Sequence, residues 1–213
     1  MSEDIVTPQD ELFYPNKMGN ILLRALKETL GREQMELVLR EGSIEEFVDN
    51  FPPNNLSKGF PFRGVSGVAI GLETVFGVEK GRDMAAELGH LAFVRGIIDF
   101  DPLLGIIDMP RRLMPLGMKI RLGLDIFAVV FNRFSDQRVQ IGEDKDNYLW
   151  IITQCAVCWG RQVSSPACNL ASGILDEALS WVSNGRKFTV GETSCIAAGD
   201  ETCTIAISKR PAD

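Results

Sequence analysis

The sequence predicts an α+β fold in which N-terminal helices pack against a C-terminal antiparallel sheet. Three observations predict it. Apolar residues recur at helical spacing over 16–136, and apolar and polar residues alternate in several stretches of 137–213. No repeat or low-complexity linker divides these two parts. We therefore expect a single domain over 16–213, mainly helical over 16–136, with a sheet, one helix and a metal site over 137–213.

The helices follow one another along the first part of the chain. Residues 1–15 are polar and aperiodic and end at Pro15, so we expect a flexible N-terminal arm. Helical spacing then runs to Gly31 and resumes to Gly42, and a loop rich in Pro and Asn follows. Further helices are predicted over 65–76, 79–100 and 118–134. The last of these is long, apolar and nearly uncharged, which makes it the best candidate for a wall that faces a ligand.

The strands are predicted after Gln137. Apolar residues alternate with polar ones on both sides of the turn 142–147, which is typical of a hairpin. A helix over 167–182 follows, with Asn184 and Gly185 as its stop. Two final strands are predicted over 187–193 and 202–208. The last third is therefore expected to be an antiparallel sheet that carries one helix.

Composition excludes several classes of partner. The net charge is −7, and no basic cluster is longer than the pair Arg111 and Arg112, which argues against nucleic acid and anionic membrane surfaces. The longest apolar stretch, 122–134, is broken by charged and polar residues, so we expect no integral membrane segment. The acidic N-terminus lacks the pattern of a secretory signal. We expect a cytoplasmic protein.

The most specific motif is a set of thiols and one carboxylate in the last third of the chain. A carboxylate lies three residues before one cysteine, a second cysteine follows eight residues later across a tight turn, and a third begins the preceding helix. The four candidate ligands are Cys168, Glu192, Cys195 and Cys203. Such a shell could hold a structural zinc ion and would leave no open position for an activated water. The alternative is that the cysteines are reduced and pack as small hydrophobic residues.

Cys155 and Cys158 form an additional CxxC pair. Three roles stay open for it: a competing ligand pair, a redox pair, or an adjunct to the same metal site. No βαβ pattern surrounds the pair, which argues against a thioredoxin-like motif. We treat these two cysteines as secondary to the four ligands above.

The segment from Cys168 to Ile207 resembles the 4-vinyl reductase domain family, which is similar to the sensory domains of phenol-responsive bacterial activators and to transport-particle subunits of the Bet3 type. The stretch from Cys155 to Arg161 resembles the members encoded with bacteriochlorophyll biosynthesis. The resemblance implies zinc at the four ligands, a homodimer, and an apolar ligand. For that subgroup the implied ligand is a vinyl-bearing tetrapyrrole, a chlorophyllide or protochlorophyllide precursor.

From this resemblance we expect a carrier or accessory protein of bacteriochlorophyll biosynthesis, which passes its ligand to a pathway enzyme. The first alternative is a divinyl (proto)chlorophyllide 4-vinyl reductase, and the second is a sensor domain for another small hydrophobic molecule. No dinucleotide-binding motif follows a strand, and no catalytic residue is assigned. The candidate ligand-binding residues are His90, Met118, Phe127 and Phe131.

Overall fold

The computed structural model describes residues 11–104 and 114–212, with the side chains of 101–104 left aside. In these residues the helices are α1 (Asn16–Glu41), α2 (Phe62–Phe76), α3 (Val78–Leu104), α4 (Leu116–Phe134) and α5 (Asn169–Ser183). The strands are β1 (Phe13–Pro15), β2 (Lys58–Pro61), β3 (Arg138–Glu143), β4 (Asn147–Gln154), β5 (Phe188–Ser194) and β6 (Cys203–Pro211). The predicted α+β class, with helices first and an antiparallel sheet last, is confirmed.

The C-terminal sheet has the strand order β3-β4-β6-β5, and every neighbouring pair is antiparallel. The predicted hairpin is the pair β3 and β4, in which Ile141 lies opposite Trp150. Alternate residues of β4 are buried, as are Ile205 and Ile207 of β6. One face of the sheet therefore packs against the core, as the alternation of apolar and polar residues along the strands predicts.

The two predicted N-terminal helices are two arms of the single element α1. At Gly31 the backbone leaves helical geometry, with φ 74° and ψ 172°, a conformation that glycine adopts more readily than other residues. The predicted stop at this glycine is therefore a break inside α1, and the chain continues helically to Glu41.

A small two-stranded sheet lies where the sequence predicts an arm and a loop. Residues 1–10 of the predicted flexible arm lie outside the described residues, and β1 takes up the last three positions of that arm, paired with β2. The Asp136 carboxylate accepts a hydrogen bond from the Phe13 N–H at 2.8 Å and another from Lys58 Nζ at 2.6 Å. Partial burial acts against the charged form of Asp136, but these two donors hold its pKa below the ordinary value. The two-stranded sheet is thereby tied to the start of β3.

Helices α3 and α5 touch through their backbones. A Cβ atom added to Gly173 of α5 would lie 2.1 Å from the carbonyl oxygen of Ala86, and one added to Gly89 of α3 would lie 2.3 Å from that of Leu170. Only glycine permits this approach, because any side chain would meet rigid backbone. The contact places the start of α5, which directly follows Cys168, against α3.

We expect Gly173→Ala to destabilise the protein by about 1–3 kcal/mol, because the added methyl group forces the two helix backbones apart. The measurement is urea unfolding followed by far-ultraviolet circular dichroism. Gly96→Ala is the matched control, since a Cβ at Gly96 meets nothing within 4 Å. That control should gain about 0.5–1 kcal/mol from the better helix former. Equal unfolding midpoints for the two variants would show that the backbones of α3 and α5 are not in contact.

Among the described residues, no helix has the length and apolarity that crossing a membrane requires.

Candidate ligand cavity and cysteine cluster

An apolar cavity of about 160 Å³ lies between the helices and the inner face of the sheet. Side chains of α1, α3, α4, α5 and β4 line it, and nearly all of them are aliphatic or aromatic. Such a space excludes charged molecules, because burying an unpaired charge costs far more free energy than an apolar wall returns.

Aromatic rings form the side of the cavity between α4 and the sheet. The Phe127 ring lies 5.4 Å from that of Trp150, and the Phe131 ring lies 6.0 Å from it. Phe93 of α3 meets Phe127 edge to face at 6.0 Å. These tilted and edge-on arrangements are the ones that aromatic pairs favour. The rings thus present a continuous apolar surface to a ligand.

Of the four residues predicted to bind a ligand, two line the cavity and two lie outside its lining. Phe127 and Phe131 line the cavity, as expected of α4. Met118 is 58 % exposed and lies outside the lining. His90 also lies outside it, and its Nδ1 is 3.2 Å from the Glu177 carboxylate of α5. We therefore leave Met118 and His90 out of the proposed cavity site.

The sequence did not reveal the polar pair that lines the cavity. The Tyr14 hydroxyl donates a hydrogen bond to Gln137 Oε1 at 2.6 Å, although the two residues lie 123 positions apart. Both side chains are buried. Burial raises the pKa of Tyr14, with a smaller contribution from the nearby Cys155 and Cys168, so the hydroxyl stays protonated and remains a donor.

All five cysteines of the chain are buried and form one cluster. Cys158 Sγ is 3.3 Å from Cys168 Sγ, 3.4 Å from Cys203 Sγ and 3.5 Å from Cys195 Sγ. Cys155 Sγ is 3.6 Å from Cys168 Sγ. Two thiolates that share one ion at about 2.3 Å in a tetrahedral shell lie about 3.8 Å apart. The sulfurs are therefore spaced almost as a common metal ion would hold them.

Glu192 belongs to the same cluster. Its Oε2 accepts a hydrogen bond from the Cys168 N–H at 2.8 Å, whereas Oε1 is buried and has no partner among the described residues. Burial raises the pKa of Glu192 to about 7, against the opposing effect of the Cys168 N–H. A buried carboxylate oxygen without a donor is unusual and needs a proton or a cation.

Two overlapping ligand sets arise from the cluster. Within each set the ligand atoms lie within 4.8 Å of one another. The predicted set is Cys168, Glu192, Cys195 and Cys203, and the second set is Cys155, Cys158, Cys168 and Cys203. The pair that we treated as secondary in the sequence is therefore as close to the common centre as the predicted ligands.

Within the cluster the pKa is lowered for Cys158 and Cys195 and raised for Cys168 and Cys203. Hydrogen bonds from Cys155 first, and then from Cys168 and its neighbours, lower the pKa of Cys158. The same sulfur contacts raise the pKa of Cys168, with Cys155 again the largest cause. A thiolate is the form that binds a metal ion, so the arrangement is suited to coordination.

An ion-pair network fixes the segment that carries Cys155, Cys158 and Cys168. Arg161 is almost fully buried, and its Nη2 lies 2.7 Å from Glu73 of α2 while its Nη1 donates to the Val157 carbonyl at 3.2 Å. Arg82 of α3 also contacts Glu73, at 3.2 Å, and donates to the Pro166 carbonyl at 3.0 Å. Helices α2 and α3 thereby hold both ends of this segment.

The chain matches no family model and no curated protein. Solved structures do share its fold. An H-NOX protein from S. oneidensis in the Fe(II)NO ligation state has a TM-score of 0.63 at 10% identity, over 93% of this chain and 99% of that one. An Fe(II) unliganded H-NOX protein from K. algicida has a TM-score of 0.57 at 8% identity, over 93% and 97%. An oxygen-binding H-NOX domain related to soluble guanylate cyclases has a TM-score of 0.50 at 14% identity, over 92% and 96%.

These comparisons show that the chain has the H-NOX fold. At such low sequence identities the likeness shows the fold alone. The resemblance to the 4-vinyl reductase domain family is therefore wrong. It rested on cysteine spacing in Cys168–Ile207 and on helices that precede a sheet, a layout that the H-NOX proteins share over nearly the whole chain. The expectation of a carrier for a vinyl-bearing tetrapyrrole in bacteriochlorophyll biosynthesis, with a pathway enzyme as its partner, depended on this resemblance and is also wrong. The alternative 4-vinyl reductase activity rested on the same resemblance.

The expected structural zinc cofactor is corrected as well. Two of the similar structures are described by an Fe(II)NO ligation state and by haem distortion, and neither description mentions zinc. The clustered thiols do not by themselves select zinc, because other thiophilic ions take the same ligands.

Proposed function

We propose that this chain is a sensor domain that binds a small, uncharged hydrophobic molecule in the cavity beside α4. The observation that carries the proposal is the apolar cavity of about 160 Å³. A cavity of about 150 Å³ lined by Leu, Ile and Phe is known to stay dry and to bind benzene or xenon. The cavity therefore suits a molecule of about one aromatic ring.

The fold comparisons support the sensor interpretation. The similar structures include H-NOX proteins described with bound NO or as oxygen-binding. These descriptions name small molecules as the ligands of proteins that share this fold.

Haem does not fit the residues of this cavity. The chain has one histidine, His90, and it lies outside the cavity, against Glu177. None of the five cysteines lines the cavity. Met18 does line it, but without the histidine partner of Met/His ligation, and the Tyr14 hydroxyl already bonds Gln137. The volume also suits one ring rather than a macrocycle, so the proposed ligand binds without haem.

The test is equilibrium dialysis of the purified chain against toluene, with tryptophan fluorescence as a second readout because Trp150, one of three tryptophans, lines the cavity. We expect saturable binding, and thermal stabilisation equivalent to about 2.7 kcal/mol when toluene is at a hundred times its Kd. Added haemin should produce no saturable change in its Soret band. Absence of toluene binding by the folded protein would refute the proposed function.

The cysteine cluster is a second proposed site. We propose that Cys168, Glu192, Cys195 and Cys203 bind a thiophilic metal ion, with Cys155 and Cys158 as the alternative partners of Cys168 and Cys203. Its support is the convergence of these groups in a buried centre and the unpartnered Glu192 oxygen.

Two further predictions, the location and the oligomeric state, accompany the proposed function. Free cysteines suit a reducing compartment, which supports the cytoplasm as the location. The homodimer stays a prediction, and analytical ultracentrifugation of the purified chain checks it.

A further inference from the structure

The polar groups of the cavity indicate which chemical class of ligand it accepts. Among the residues that line it, side-chain nitrogen and oxygen atoms belong to Tyr14, Gln137 and Trp150. None of the described residues in this lining carries a charged side chain. The partner of these groups must therefore be an uncharged molecule, since a buried charge would have no counter-ion.

The hydrogen bond between Tyr14 and Gln137 leaves some donors of this pair without a protein acceptor. The Tyr14 O–H is used on Gln137 Oε1, and the Gln137 Nε2 donates to no acceptor among the described residues. Turning the amide around does not alter this conclusion. Nε2 would then donate to the phenol oxygen and leave the O–H and the second N–H free. In both orientations two donors of these cavity-lining side chains have no protein acceptor among the described residues.

Hydrogen-bond donors that lack an acceptor in an apolar cavity cost free energy. A ligand that supplies the acceptor removes this cost. Resting on the proposed function, we propose that the cavity ligand is an uncharged one-ring molecule that carries a hydrogen-bond acceptor, such as the carbonyl oxygen of an aryl ketone, held by Gln137 and Tyr14. The aromatic walls bind the ring, and the polar pair fixes its orientation.

The experiment compares acetophenone with isopropylbenzene, in which a methyl group replaces the carbonyl oxygen, by equilibrium dialysis of the full chain. The decisive variant is the double substitution Tyr14→Phe and Gln137→Leu, which removes every donor of the pair while keeping apolar groups of similar size. We expect its acetophenone Kd to rise at least about fivefold, with the isopropylbenzene Kd unchanged or lower.

Three controls sharpen the result. Tyr14→Phe alone should keep acetophenone affinity within about twofold, because the Gln137 N–H groups remain. Trp150→Phe should change the affinities for the two ligands by similar factors. Benzoate should not compete with either ligand, because its carboxylate would find no cation among the described lining residues.

The outcomes separate this inference from the proposed function. Binding of isopropylbenzene together with equal changes for both ligands in the double variant would overturn the acceptor requirement and leave the cavity function standing. A selective loss of acetophenone binding in Trp150→Phe would overturn the assignment of the donors to Gln137 and Tyr14, and competition by benzoate would overturn the requirement for an uncharged ligand. Failure of the wild-type chain to bind either neutral ligand would overturn the cavity function itself.

Discussion

Gly96→Leu is expected to weaken toluene binding at least tenfold, roughly the effect of about 1.4 kcal/mol, while the protein becomes more stable. Gly96 lines the cavity, and a Cβ at this position has open space within 4 Å. The leucine side chain can therefore grow into the volume that a ligand would take. Burying it and replacing glycine in the middle of α3 should together stabilise the free protein by about 2–3 kcal/mol.

Equilibrium dialysis and urea unfolding of the same preparations provide the two measurements for Gly96→Leu. Gly96→Ala is the control, because it gives the same helix-forming advantage with only one added carbon, and it should retain most of the toluene affinity. If Gly96→Leu binds toluene as the wild type does, the ligand lies elsewhere. If it unfolds more easily than Gly96→Ala, the space beside Gly96 is not open.

Cys203→Ser is expected to weaken metal binding by more than about 100-fold. A loss of about 100-fold is the upper cost of removing a residue that only hydrogen-bonds a metal ligand, whereas Cys203 would bind the ion itself. Cys203 and Cys168 belong to both possible ligand sets, so neither set survives the loss of this sulfur. Elemental analysis of protein purified under reducing conditions identifies the ion. Thermal unfolding with and without a chelator measures its contribution to stability, because metal binding and folding are coupled.

Two further variants decide which set holds the ion. Glu192→Gln should reduce metal content if the predicted set is used, and Cys155→Ser should do so if the second set is used. Glu201→Gln is the matched control, since it removes an exposed carboxylate two residues from Cys203. Full retention of metal by Cys203→Ser, or wild-type protein that binds no metal when reduced, would contradict the proposed site.

The parts of the fold that the sequence predicted correctly depend on local patterns. Gln137 marks the change from helical to alternating spacing, and β3 begins at the next residue. Phe127 and Phe131 lie four residues apart on α4, so their shared face follows from helical geometry. Cys195 and Cys203 converge because a short turn joins β5 and β6. Each of these relations spans only a few residues of chain.

The parts that the sequence missed depend on distant segments. His90 lies on a helix with apolar residues around much of its circumference, so the spacing did not show which side faces the core. Cys155 and Cys158 reach the cluster only because the end of β4 packs beside the start of α5. The family resemblance failed for a related reason: a local motif matched, whereas the arrangement of 93% of the chain has the H-NOX fold.

The sequence by itself determined the α+β class, the apolar character of α4 and the concentration of thiols in the last third, because hydrophobic period, turn residues and residue chemistry act locally. Only the tertiary structure decided that α4 faces a cavity, that Tyr14 and Gln137 meet there across 123 positions, and that all five cysteines share one centre. These properties depend on how α1, α3, α5 and the sheet pack together. Close packing is a property of the whole chain, and no single segment contains it.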